Sequence, residues 1–339
     1  MGVALIGCAD RPLVAIECSL DVSENISTIA TVSWEGDWSP VEVRYGVDDE
    51  LTQTATEMDG EALLTGIAAG ETLSYQVIGT AATHTSTCAG SQLLEFPPDV
   101  IPSVQVDIHE ATEMSSEAFL MVGVFEYGDR ADLIIIDRDG GVVWYREGAS
   151  NELLLDFQVD DTGGGFLFNR FDGTFSEDIG VLRRVSIFGE LEEEIRTPLG
   201  HHMFAQLPDG SLAYQTLDTR VWTDPETGET FDVVGDAIIE ISASGEYQTI
   251  FSVWDWMTPI ADEDFDGPLF YPYGIDWTHG NALRYDSERD AYLLSLANTD
   301  NILSIDRSSG ELLAIYGERG TPVSEDSHPF SHAHDPQWL

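Results

Sequence analysis

ILSIDRSSGELLAIYG, residues 302–317, alternates apolar and polar side chains, breaks at Ser-Ser-Gly, and then alternates again. That is a period-two hairpin around a glycine turn; a helix would space its apolar residues every three or four positions. DLIIIDRDGGVVWYRE (132–147), LRRVSIFGELEEEIRT (182–197) and IIEISASGEYQTIFSV (238–253) repeat the same unit. Between copies lie two more strand-like runs: one led by histidine, and a companion such as GFLFNRF (165–171). Four short strands per unit, recurring at roughly 50 to 65 residues with almost no helical periodicity, predict a β-propeller. The copies supply about four blades and the first strand of another, so the ring is expected to be incomplete, truncated at the C-terminus. The expected fold class is all-β, with the propeller over residues 99–339.

Ahead of it, residues 13–98 read as a β-sandwich. ISTIATVSW (26–34) and VEVRYG (41–46) alternate in period two between Gly, Asp, Ser and Pro turns. LLTGIAAGETLSYQVIG (63–79) resembles the leucine-turn-tyrosine stretch of fibronectin type III domains, with Tyr75 as their corner tyrosine and Trp34 as their core tryptophan. Pro97-Pro98 marks its end. Residues 1–12 are a leader whose Leu5-Ile6-Gly7-Cys8 resembles the box before the lipidated cysteine of bacterial lipoproteins. A lipid on Cys8 would leave Cys18 and Cys88 as a pair, and two cysteines in an exported domain form a disulfide. The expected location is periplasmic or extracellular, with membrane contact only through that anchor.

Asp and Glu number 62 against 14 Lys and Arg, for a net charge of −48. Such a field repels nucleic acid and anionic membrane, so neither is expected as a partner. It also means that an anionic substrate needs a pocket of local donors. Three histidine-led segments offer one: GHHMFAQLPDGSLAYQ (200–215), DWTHGNALRYDSERDAYLLSLAN (276–298) and SHAHDPQWL (331–339). Each places imidazole at the head of a repeated unit, which points to several rings converging on one axis.

The words DWTHGN, HAHDPQWL and HHMF…LPDGSL resemble the bacterial aryl-sulfate sulfotransferases, most sharply over residues 200–339. The resemblance implies an exported six-bladed propeller behind an N-terminal sandwich, acting on a small-molecule aryl sulfate and a phenol with no cofactor. It implies a sulfuryl group carried on a transient sulfohistidine at His334, the histidine before Asp335. His279 and Asn281 would hold the sulfuryl oxygens and assist proton transfer, and His202 would be the third imidazole. Phe270, Tyr271, Tyr273 and Trp277 are candidate apolar walls for the aromatic substrate. Two departures stand out: Ala297 occupies the position of the family's arginine, and Met203 that of an acid after His202. Asn298 and Arg170 are the candidate substitutes for the missing cation.

Two other readings remain at this stage. Three histidines in a channel suit a zinc site, although no metal site is assigned, and the departures suit a propeller that binds without turnover. DEDFDG (262–267) starts like a calcium loop, but Tyr273 stands where the loop needs its final carboxylate. His84 and His109 carry no signal.

Overall fold

The computed structural model describes residues 15–82, 84–97, 104–106, 119–126, 130–148, 152–172, 180–260, 265, 271–317, 319–320 and 331–338. Cys8, His109 and Phe270 lie outside them, as does DEDFDG apart from Phe265. The described residues form β-sheets, antiparallel except where Ile275–Asp276 pairs parallel with Val233–Val234, with no α-helix, and no sheet closes on itself. They divide into two compact units, residues 1–122 with 133–147, and residues 123–132 with 148–339.

The first unit holds two four-stranded sheets. One orders its strands Glu17–Val22, Ala30–Glu35, Glu61–Leu64, Glu57–Met58; the other Glu50–Ala55, Val41–Val47, Thr72–Ala81, His84–Leu93. Alternation explains the packing: Ala30, Val32, Ala62 and Leu64 of the first sheet share one core with Val43, Tyr45, Leu73, Tyr75 and Val77 of the second. Trp34 is only partly buried against that core. The hairpin at 133–147 belongs to this unit. The Ala69 N–H donates to the Val142 carbonyl (2.9 Å) and the Thr28 hydroxyl to the Val143 carbonyl (2.6 Å).

Three sheets follow one another along the second unit. The first centres on Gly165–Asp172, Val181–Ser186 and Leu191–Arg196. The second runs Gly200–Gln206, Leu212–Thr223, Thr230–Ile241, Tyr247–Ser252, and the third Gly280–Asp286, Ala291–Leu296, Asn301–Asp306, Leu312–Gly317. Leu167 and Leu182 of the first sheet pack on Phe204 and Tyr214 of the second. Ala205, Ile238 and Phe251 of the second pack on Leu283, Leu294 and Leu303 of the third.

The four hairpins read from the sequence share one turn. Gly140, Gly189, Gly245 and Gly310 sit at φ between 69° and 88°, where a side chain is strained and glycine is not. Each hairpin also slips register in the strand before its glycine, at Ile135/Ile136, Arg184/Val185, Ile238/Ile239 and Ser304/Ile305. One extra residue and one left-handed glycine make a bulged turn that adds twist to the ribbon.

Cys18 and Cys88 form a disulfide between edge strands of the two sandwich sheets, 70 residues apart in sequence. Closing a loop of that length removes unfolded-chain entropy worth about 4 kcal/mol. Cys88→Ser is therefore expected to lower the denaturant midpoint of the first unit by that much free energy. A midpoint equal to wild type in chemical denaturation would show that the bond adds nothing.

Candidate active site

The strand Gly200–Gln206 does not pair evenly with its neighbour. Gly200 opposes Thr216 and Phe204 opposes Tyr214, so residues 201–203 bulge out against Gln215 alone. His202 sits in that bulge at φ 50°. The third sheet repeats the device: register slips between Gly280 and Ala282, and His279 directly before it has φ 47°. A non-glycine residue in this region costs on the order of 1–3 kcal/mol, and such strain collects at functional sites.

Hydrogen bonds from the preceding sheet hold the first bulge open. The Asn169 amide donates to the His202 carbonyl, and its oxygen accepts from the Leu155 (3.1 Å) and Asp156 (3.0 Å) N–H groups. Asp156 in turn accepts from the Phe204 N–H at 3.1 Å and Gln158 at 2.9 Å. Burial pushes the Asp156 carboxyl up to about 6, against those hydrogen bonds and the Arg284 charge.

The two bulges bring imidazoles together. The His202 ring lies 5.2 Å from His201 and 5.1 Å from His279, edge-on to both. Tyr271 closes the group, 5.6 Å from His201 and 5.9 Å from His279. The Nδ1 atoms of His201 and His202 are 3.0 Å apart. Behind His201, its Nε2 is 3.1 Å from Asp236 Oδ1, with both side chains buried. Behind His279, Nδ1 is 2.6 Å from Asp276 Oδ2.

These surroundings push the two central histidines in opposite directions. Burial, and then the charges of His201, His279 and His334, hold His202 well below the ordinary histidine value. Burial also acts to lower His279, but the hydrogen bond and charge of Asp276, with Asp236 adding, outweigh it and raise the ring. Burial raises the Asp276 carboxyl against the pull of His279. Tyr271 is raised well above its ordinary value by burial and by Asp236 and Asp276, so its hydroxyl stays protonated. Two titratable groups with diverging environments are the arrangement from which an acid and a base are drawn.

His334 is exposed on the segment 331–338 and lies within electrostatic reach of His202. Its neighbour Asp335 takes a two-pronged contact from Arg284, with Nη2 2.9 Å from Oδ2. Asn281 is buried and accepts from the Ser295 hydroxyl, while its Nδ2 has no partner among the described residues. Asn298 donates to the Asp276 carbonyl at 2.8 Å, so it braces the His279 loop. Ala297 is buried, and its N–H donates to the His279 carbonyl at 3.0 Å. Arg170 is half-buried on Gly165–Asp172, next to Asn169. Tyr273 is half-buried against Leu217, Val234 and Tyr271. Trp277 belongs to the core: it is fully buried, 4.8 Å from Trp254, and Tyr271 is the aromatic that meets the imidazoles. Met203 likewise packs into the core. Among the described residues no group of three or more His, Cys, Asp or Glu is arranged to hold a metal ion.

The sequence reading missed His201, Asp236, Asp276, Asn169 and Asp156. Asp276 had a signal, since it stands three residues before His279 in DWTH. Asp236 lies inside an apolar strand, IIEIS preceded by DA, and offered none.

The family described as Arylsulfotransferase (ASST) matches residues 104–326. No curated protein matches the chain. Among solved structures, a protein of unknown function from Bacteroides caccae aligns at 17% identity and TM-score 0.35, over 58% of this chain and 56% of its own. A putative 6-phosphogluconolactonase from Bacteroides uniformis aligns at 12% and 0.33, over 86% and 82%. A periplasmic gluconolactonase from Pseudomonas aeruginosa aligns at 11% and 0.32, over 91% and 84%.

The Asp276–His279 pair gives a test of the site's electrostatics. His279 is raised on folding, so the pair stabilises the fold fully below the unfolded histidine value of about 6.5 and loses that contribution as pH rises through the raised folded value. Asp276→Asn is expected to move the His279 midpoint downward in an NMR titration of ring carbon-bound protons. An unmoved midpoint would refute the pairing.

Proposed function

The chain belongs to the arylsulfotransferase family, and on that premise we propose that it transfers a sulfuryl group from an aryl sulfate ester to a phenol through His334. Sulfotransferase-type activity follows from the family; the route and residues are our reading. The observation that carries it is the meeting of His202 and His279 at two strained bulges, with ring centroids 5.1 Å apart and His334 within electrostatic reach.

In this reading a ring nitrogen of neutral His334 attacks sulfur. The N–S bond forms as the S–O(aryl) bond breaks, and its electron pair leaves on the aryl oxygen. His279, held protonated by Asp276, donates a proton to that oxygen. The incoming phenol then attacks sulfur and loses its proton to neutral His202, while the N–S electron pair returns to His334. Each proton transfer contributes on the order of 10²–10⁴ in rate. Charge on the transferring group spreads over three oxygens, where Asn281 and protonated His279 serve as donors. Tyr271 offers a ring face to the aromatic substrate.

The same reading takes the successive sheets of the second unit as propeller blades and the first unit's sandwich as fibronectin type III-like. It places the protein outside the cytoplasm, in keeping with the Cys18–Cys88 bond, and a lipid at Cys8 belongs to it. Ala297 supports a second reading, because loss of one fixed donor commonly costs two to three orders of magnitude in rate: a module that binds aryl sulfates without turning them over.

A chromogenic aryl sulfate offered with and without phenol separates the two. Colour release that depends on phenol, lost in His334→Asn with the circular dichroism unchanged, is the expected result. The active window requires His202 neutral and His279 protonated, so activity should hold between the lowered and raised values, and Asp276→Asn should pull its alkaline limb to lower pH. Saturable binding with no turnover from the wild-type protein would sink the transferase.

A further inference from the structure

Asp236 is almost fully buried at 2% exposure, yet its hydrogen bonds and His201 hold it below the ordinary carboxylate range against the penalty of burial. One oxygen, Oδ2, is occupied: the Gly280 N–H donates to it at 2.7 Å, and the Thr278 hydroxyl donates to it as well. Only glycine fits there, because a Cβ at position 280 would stand 2.7 Å from Asp236 Oδ1. The other oxygen, Oδ1, and His201 Nε2 lie 3.1 Å apart as an ion-pair contact, and neither has a hydrogen bond of regular geometry to any described residue. Each is therefore the other's match, since an unpaired buried polar atom costs about 1–3 kcal/mol.

We propose that Asp236 and His201 are positioning residues that set the tautomer of His202. A carboxylate oxygen can only accept, so His201 carries its proton on Nε2 and donates it to Oδ1. His201 is taken as neutral with its one proton on Nε2, which leaves only a lone pair on Nδ1. His202 Nδ1, 3.0 Å away, must bring the proton to that contact, so His202 is an Nδ1–H imidazole whose lone pair is on Nε2. In consequence the ring that faces His279 is held in the form able to accept a proton. That consequence rests on the transfer reading above; the tautomer itself does not. Asp236 thus supplies through one intervening ring the orientation that an acid next to His202 would give, and Met203 is left free to pack into the core.

The geometry specifies an inverting substitution. In Asp236→Asn the amide oxygen is required at the Oδ2 position, because both groups that meet it there, the Gly280 N–H and the Thr278 hydroxyl, donate. The amide nitrogen then faces His201 and donates to its Nε2. His201 must carry its proton on Nδ1, which obliges His202 Nδ1 to accept and moves the His202 proton to Nε2.

The test is ring ¹⁵N chemical shifts of His202 in the full-length protein, assigned by comparison with His202→Gln. The wild type is expected to show Nδ1 protonated and Nε2 bare, and Asp236→Asn the reverse. His201→Phe keeps the ring shape, removes both nitrogens and should give mixed tautomers, which covers the case of an amide variant that folds poorly. Phenol-dependent kcat should fall on the order of 10²–10⁴-fold in Asp236→Asn with KM little changed. Wild-type His202 protonated on Nε2, or an Asp236→Asn spectrum unchanged from wild type, overturns the proposal. A flipped tautomer with undiminished kcat overturns the positioning role. If the wild type shows the expected tautomer and no turnover with any aryl sulfate, the transfer reading fails while the relay stands.

Discussion

A carboxylate sealed from water is expensive unless every lone pair is answered, and Asp236 sets the terms for the site around it. It lies on the strand Thr230–Ile241 and takes its donors from Thr278 and Gly280, which enter the next sheet. Its second oxygen faces His201, in the first strand of its own sheet. One charge therefore meets the backbone at the His279 bulge and the His201 ring at the other. Removing a partner of such a charge is far more costly than never having buried it, so the loop carrying His279 and the bulge carrying His202 are held in one geometry.

The imidazoles inherit their differences from this arrangement. His279 has a carboxylate of its own in Asp276, which raises it; His202 is held well below its ordinary value by burial and by the neighbouring imidazoles. A chain of net charge −48 would by itself repel a sulfate ester. In the proposed transfer, His279 and the Asn281 amide are the local donors that would answer that field. Ala297 is buried, and its backbone N–H holds the His279 carbonyl.

The strands, their turns and the repeat were legible in the sequence because they are local. Period-two alternation and a glycine every hairpin are dictated by pleat and by φ, and both are readable within 16 residues, as in 302–317. His202 and His279 each head a repeated unit, and their rings meet 5.1 Å apart. The reading failed where burial outweighs residue type. Trp277 looked like a substrate wall beside His279 and is instead a core residue against Trp254. The hairpin at 132–147 reads like the other three, yet residues 133–147 pack with the sandwich through Thr28 and Ala69, which no pattern in the hairpin reveals.

By itself, then, the sequence determined an all-β chain, the glycine-turn hairpin that recurs along it and the cysteine pair. Tertiary structure alone decided which carboxylate answers which ring. Asp236 reaches Gly280 across 44 residues and lies opposite His201 on a different strand. Such pairings are set by how sheets stack and where a strand slips by a residue, and an apolar run with one aspartate in it looks the same whether that aspartate meets water or a histidine.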